Sequence, residues 1–147
     1  MKKHPHVGAF DILLAEDEPG DARLVGEALS ESKILCTLHH VPDGVEALEF
    51  LHKTGRFADA PRPDLVLLDL NMPRCDGREV LREMRADPKL HNIPVIVLTT
   101  SDVERDVEIS YGLGANSYIT KPCDVDQFFH AICAIQNYWF GLVRLPD

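Results

Sequence analysis

Short apolar runs alternate with longer amphipathic stretches along this chain. The runs are FDILLA (10–15), ILCTLHHV (34–41), DLVLLDL (64–70), PVIVLTT (94–100) and ANSYIT (115–120). Three of them, around 12–15, 65–68 and 95–98, have no polar alternation in the middle, the mark of strands buried on both faces. Between the runs lie five helix candidates. Residues 20–31 place Leu24, Ala28 and Leu29 on one face. Residues 43–53 start at Asp43, a natural N-cap, and set Val45, Leu48 and Leu51 at core spacing. Residues 76–87 stop before Pro88, and 102–112 open with an acid and close on glycine. Residues 124–141 form the last and longest.

Strands alternating with helices imply βαβ units, a parallel sheet and right-handed crossovers. For an α/β chain of this length the expected architecture is a (βα)5 flavodoxin-like, doubly wound sheet of strand order 2-1-3-4-5. The whole chain, 1–147, reads as one domain, with its core over about 10–130 and an extended C-terminal helix and tail over 124–147.

In such a sheet, ligands sit at the C-terminal ends of the strands, near the switch between strands 1 and 3. The first strand ends in Glu16 and Asp17, and the third in Asp69, followed by Asn71. The fourth ends in Thr99, Thr100 and Ser101, and the fifth in Lys121–Pro122. Three carboxylates meeting in one crevice repel one another unless a cation intervenes. Hard divalent ions accept such oxygen ligands, so Glu16, Asp17, Asp69 and the Asn71 carbonyl are the candidate set for Mg²⁺ or Mn²⁺. A carboxylate beside such an ion can attack phosphorus, and Asp69 occupies the nucleophile's place. Lys121 and Thr99 stand where they would neutralise and hydrogen-bond the transferred oxygens. Taken singly, each has a plainer reading: Glu18 as a helix cap, Ser101 as a cap of the fourth helix, Lys121 as a surface lysine, and Tyr118 as half-buried packing.

Composition narrows the class. The chain carries 15 basic and 24 acidic residues, a formal net charge of −9, and no basic run, which speaks against nucleic-acid binding. No apolar run approaches the roughly 20 residues of a membrane helix, and no signal peptide is evident; the expected location is cytoplasmic. Cys36, Cys75, Cys123 and Cys133 lack metal or redox spacing and read as free thiols. His39 and His40 are adjacent on a strand and so point to opposite faces, unable to share a metal.

ILLAEDE, PDLVLLDLNMPRCDG, IPVIVLTTS and GANSYITKP together resemble the receiver domains of two-component response regulators, over about 10–130. The resemblance implies that Asp69 accepts a phosphoryl group from a phosphohistidine on a sensor histidine kinase. It implies direct ligation of the metal by Asp17, Asp69 and the Asn71 carbonyl, with Glu16 acting through water. Thr99 and Lys121 would grip the phosphoryl group, Tyr118 would change rotamer with Thr99, and the Lys121–Pro122 bond would be cis. The only catalysis expected is of the chain's own phosphorylation and dephosphorylation. Too few residues follow 130 for a DNA-binding output domain, so the expected output is protein contact. The tail DVDQFFHAICAIQNYWFGLVRLP and the insert KTGRFADAPRP (53–63) resemble those of stand-alone regulators paired with phytochromes, which implies a phytochrome as upstream kinase.

At 100° per residue the apolar positions from Val125 to Val143 cover an arc of about 160°, wider than the roughly 100° of a core stripe. Ile135, Phe128, Trp139 and Ile132 are expected to face the sheet. Phe129, Cys133 and Phe140 lie at the far margin, where two readings stand: a wider core contact, or a homodimer interface through the fourth helix, fifth strand and fifth helix. Enzymes of other classes fit less well. A haloacid-dehalogenase-type phosphatase or a Toprim-type nuclease needs a second acid where Asn71 stands, and a flavin-binding module would not want an acidic loop after the first strand.

Overall fold

The computed structural model describes residues 10–31, 35–100, 107, 109, 111–122 and 124–142, without the side chains of 140–142. The apolar runs form five parallel strands: β1 (Phe10–Ala15), β2 (Cys36–Val41), β3 (Leu65–Leu68), β4 (Val95–Thr99) and β5 (Ser117–Thr120). Their order is β2-β1-β3-β4-β5, as the alternation of elements predicts. The three central strands are the three unalternating runs, and every residue of β3 and β4 is buried. β2 and β5 take the edges and are only partly buried.

The twofold pleat deals the core into two layers. Leu13, Ala15, Val66, Leu68, Val95 and Val97 face one side, where helices α2 (Gly44–His52) and α3 (Gly77–Ala86) cover them. Ile12, Leu14, Leu65, Leu67, Ile96 and Leu98 face the other, under α1 (Pro19–Ser30) and the C-terminal helix (Val125–Gln136). That last helix ends in a wider π-helical stretch, Asn137–Leu142, within the 124–141 read as one helix. Most of the predicted helix 102–112 lies outside the described residues; 107, 109, 111 and 112 are helical.

The caps follow from composition. Glu18 accepts from Gly20 N at 2.8 Å ahead of Pro19, and Asp43 Oδ1 accepts from Glu46 N at 2.8 Å. Asp76 and Asp124 cap α3 and the C-terminal helix in the same way. The α2 face differs in part from the one its spacing predicts. α2 buries Ala47, Phe50 and Leu51, while Val45 and Leu48 are only half-buried. Steps of three residues drift around a helix, and Phe50 takes the central seat against His39 and Phe57, ring centroids 5.2 and 5.4 Å away. On α1, Val25 joins Ala28 and Leu29 in the core, with Leu24 at its margin.

His39 and His40 do point apart. His39 Nε2 meets Asp11 Oδ1 at 2.9 Å, and His40 Nε2 donates to the Glu16 carbonyl at 2.7 Å. Cys36, Cys75 and Cys133 are free thiols. Among the described residues no helix is long and apolar enough to cross a membrane.

Two glycines permit backbone contacts that no side chain could survive. A Cβ on Gly44 would lie 1.9 Å from the Cys75 carbonyl oxygen, and one on Gly77 would lie 2.2 Å from the Asp69 carbonyl oxygen. Gly26, inside α1, would meet only a Leu38 methyl at 3.6 Å. Gly44→Ala is therefore expected to lower the melting temperature through overpacking worth about 1–3 kcal/mol. Gly26→Ala is expected to raise it, since alanine gains about 0.5–1 kcal/mol over glycine in a helix interior. Thermal melts of both variants check the pair, and equal shifts would contradict this packing.

Candidate functional site

The sheet's own ladder delivers the site. Glu16 N donates to Val41 O at 3.0 Å, Asp69 N to Ala15 O at 3.1 Å, and Lys121 N to Thr99 O at 2.7 Å. Each bond continues parallel pairing one residue past a strand, so the side chains emerge together at the C-terminal edge. Glu16 and Asp69 are buried there, with Asp17 exposed at the mouth. One carboxylate oxygen from each of Glu16, Asp17 and Asp69 lies within 4.8 Å of the others. At that spacing each like-charged pair repels by roughly 3 kcal/mol at an effective dielectric of about 20.

One resident cation answers them. Lys121 is buried, and its Nζ forms an ion pair with Glu16 Oε1, donates to Asp21 Oδ2 at 2.9 Å and lies 3.4 Å from Asp69 Oδ2. Burial by itself would lower the Lys121 pKa. The bonds to Glu16 and Asp21 and the charges of Asp69 and Glu16 more than reverse that and hold the amine protonated. Glu16 goes the other way: burial lifts its carboxyl to about 7, against the opposing pull of Lys121. A single ammonium thus does not neutralise the crevice. The oxygen-only donor set, with charge left over, has the make-up of a divalent-cation site.

The remaining candidates lie on β4, on β5, in the loop after β3 and on the C-terminal helix. Thr99 is fully buried at the end of β4. Asn71 is exposed, and its N–H donates to Asp69 Oδ1 at 3.2 Å. Tyr118 on β5 is half-buried and packs against the α2–α3 side of the core. The Lys121–Pro122 bond, expected cis, is trans, the lower-energy isomer. Phe129 and Cys133, where a wider core contact and an interface both stood open, are half-buried, because α1 packs alongside the C-terminal helix; Cys133 Sγ donates to Ala28 O at 3.7 Å. The side chain of Phe140 lies outside the described residues, as does Ser101. Phe128, Ile132 and Ile135 are buried toward the sheet as expected, and Trp139 packs beside them.

Sequence reasoning missed Asp21. Its signal was present: Pro19 opens α1, which turns the first-turn acid at 21 back over the strand ends. It also missed Arg74, whose Nε donates to Asp43 Oδ2 at 2.9 Å.

Comparison with known proteins identifies the family. The family model described as the response regulator receiver domain matches residues 12–133. The chain is 47% identical over 135 residues to the response regulator Rcp1 of Synechocystis sp. (strain PCC 6803), covering 92% of each. It resembles the crystal structure of the phosphorylated cyanobacterial phytochrome response regulator RcpA with a TM-score of 0.92 and 45% identity, over 95% of this chain and 100% of that one. The Mn²⁺-bound form of response regulator Rcp1 follows at TM-score 0.90 and 46% identity, over 94% and 99%. The chain belongs to the response regulator receiver family, the signalling domains of two-component phosphorelays.

The raised Glu16 pKa sets a pH dependence. Between its ordinary value of 4.5 and about 7 the folded chain keeps a proton that the unfolded chain has lost. The Glu16 contribution to stability therefore falls as pH rises through that window. Removing the carboxyl's charge in Glu16→Gln is expected to flatten the decline in melting temperature across those values. An undiminished decline in the variant would contradict the assignment.

Proposed function

We propose that this chain is a single-domain response regulator that receives a phosphoryl group on Asp69 from a phosphohistidine of a sensor histidine kinase. The carrying observation is the convergence of Glu16, Asp17 and Asp69 within 4.8 Å, with the Lys121 amine 3.4 Å from Asp69 Oδ2. An Asp69 oxygen attacks phosphorus, the P–N bond breaks, and its electron pair leaves with the imidazole. Lys121 meets the charge gathering on the phosphoryl oxygens. Thr99, buried at the end of β4, is the hydroxyl we assign to one of those oxygens. Asp17, Asp69 and the Asn71 carbonyl are the ligands we assign to Mg²⁺ or Mn²⁺, with Glu16 reaching it through water. When bound, the ion neutralises the transferring group. Tyr118 is the assigned reporter, responding as Thr99 engages the phosphoryl group.

Catalysis is confined, on this reading, to the chain's own phosphorylation and hydrolysis. A haloacid-dehalogenase-type phosphatase would want an acid at Asn71, whose exposed side chain supplies none. A phytochrome is the proposed upstream kinase, because the solved relative RcpA is a phytochrome response regulator. A cytoplasmic location goes with that partner.

Labelling with acetyl phosphate is expected to require Mg²⁺ and to disappear in Asp69→Asn. A label that survives in this variant would move the acceptor elsewhere.

Output is proposed to run through a homodimer built on the fourth helix region, β5 and the C-terminal helix, with Phe129, Cys133 and Phe140 at its margin. Support comes from Tyr111, Val125 and Tyr138, which are 49%, 63% and 55% exposed on or beside these elements. Sedimentation of the chain is expected to show a dimer that Val125→Asp weakens. A monomer at all concentrations, phosphorylated or not, would dismiss the interface.

A further inference from the structure

A second charged contact stands beside the carboxylate crevice. Asp43 is buried at the start of α2, and its cap bond to Glu46 N uses only part of its capacity. Arg74, from the loop after β3, fills the rest, with Nε 2.9 Å from Oδ2 and Nη2 3.3 Å from Oδ1. Two donors on two oxygens form a planar fork that lysine cannot reproduce. Burial would push the Asp43 carboxyl up, and the bonds from Glu46 N and Arg74 outweigh it, holding the group below its ordinary value.

The backbone at Arg74 supplies a second observation. Its φ is 67°, in the left-handed region. For a residue with a Cβ that conformation costs roughly 1–2 kcal/mol. Arg74 adopts this conformation while its side chain, 54% exposed, reaches the buried carboxylate of Asp43. The loop around it is tied down elsewhere too. Cys75 O lies against Gly44, Cys75 N donates to Pro73 O at 2.8 Å, and Gly77 N donates to Leu70 O at 3.0 Å. Between these ties sits Asn71, three residues before Arg74, with its N–H on Asp69 Oδ1.

We infer that the Asp43–Arg74 pair is a positioning device for the cation site: it fixes the 71–74 loop so that the Asn71 carbonyl is in place before the ion arrives. The pair touches neither ion nor phosphoryl group. It acts by removing the loop's freedom in advance, the way outer contacts sharpen metal affinity. This rests on the cation ligands assigned above.

Mn²⁺ titration of the full chain tests it, alongside melting temperatures in EDTA. Asp17→Asn, which removes an assigned ligand, serves as the reference and should abolish binding. Asp43→Asn keeps the helix cap, since asparagine caps as well as aspartate, but loses the ion pair. Arg74→Gly relieves the left-handed backbone while removing the fork. Both variants, and Arg74→Ala, are expected to bind Mn²⁺ roughly tenfold more weakly. The double variant Asp43→Asn/Arg74→Ala should be no weaker than either single, since one interaction is lost only once. Arg74→Lys should recover part of the affinity. Arg74→Gly should melt in EDTA close to the wild-type chain. Affinity within twofold of wild type in Arg74→Ala and Arg74→Gly would overturn the inference, as would affinity losses that merely track melting temperature. Wild-type protein that ignores Mn²⁺ would instead overturn the cation site, and the positioning role with it.

Discussion

A buried ammonium surrounded by carboxylates is the interaction on which the rest of this structure turns. Lys121 contacts Glu16, Asp21 and Asp69, and Asp17 waits at the mouth. Four acids against one amine leave surplus negative charge, and Glu16, Asp69 and the amine itself are buried. The crevice answers in two ways. Glu16 holds on to its proton up to about pH 7, and the oxygen cluster offers itself to a dication. Both responses have the same cause. The electrostatic discomfort of the resting chain is thus what makes the site responsive to metal and, on the proposed function, to phosphate.

Such crowding is tolerable only because the sheet does not depend on it. β1, β3 and β4 are apolar on both faces and hold themselves together through two separate layers of side chains. Glu16, Asp69 and Lys121 come one residue after their strands end, where ladder bonds still fix the backbone but the core no longer needs the side chain. The loop after β3 then packs on the start of α2 at Gly44 and closes on itself at Gly77, and Arg85 of α3 ties the lead-in to β5 through Gly114 O at 2.9 Å and Asn116 Oδ1 at 3.1 Å. Lys121 itself is aimed by its contacts with Glu16, Asp21 and Asp69.

The sheet was legible from sequence because burial on both faces leaves an unmixed apolar run, a signal that survives without any tertiary knowledge. Strand order followed from the alternation of elements, and the meeting of Glu16, Asp17, Asp69 and Lys121 followed from that order. What escaped reading depended on rotation or on long-range partners. The α2 face turns on how Phe50 seats between His39 and Phe57, which no spacing rule encodes. Asp21 and the Asp43–Arg74 pair are contacts across 100 and 31 positions. The two readings at the margin of the C-terminal helix could not be separated by periodicity, since the contact of Cys133 with α1 spans 105 positions.

Anomalous diffraction from crystals grown with Mn²⁺ is the decisive measurement. One strong peak is expected in bonding contact with the Asp17 and Asp69 carboxylates and the Asn71 carbonyl, with the Lys121 amine still directed at the crevice. A map with no peak there, or with Lys121 swung out to solvent while manganese sits elsewhere on the chain, would contradict it.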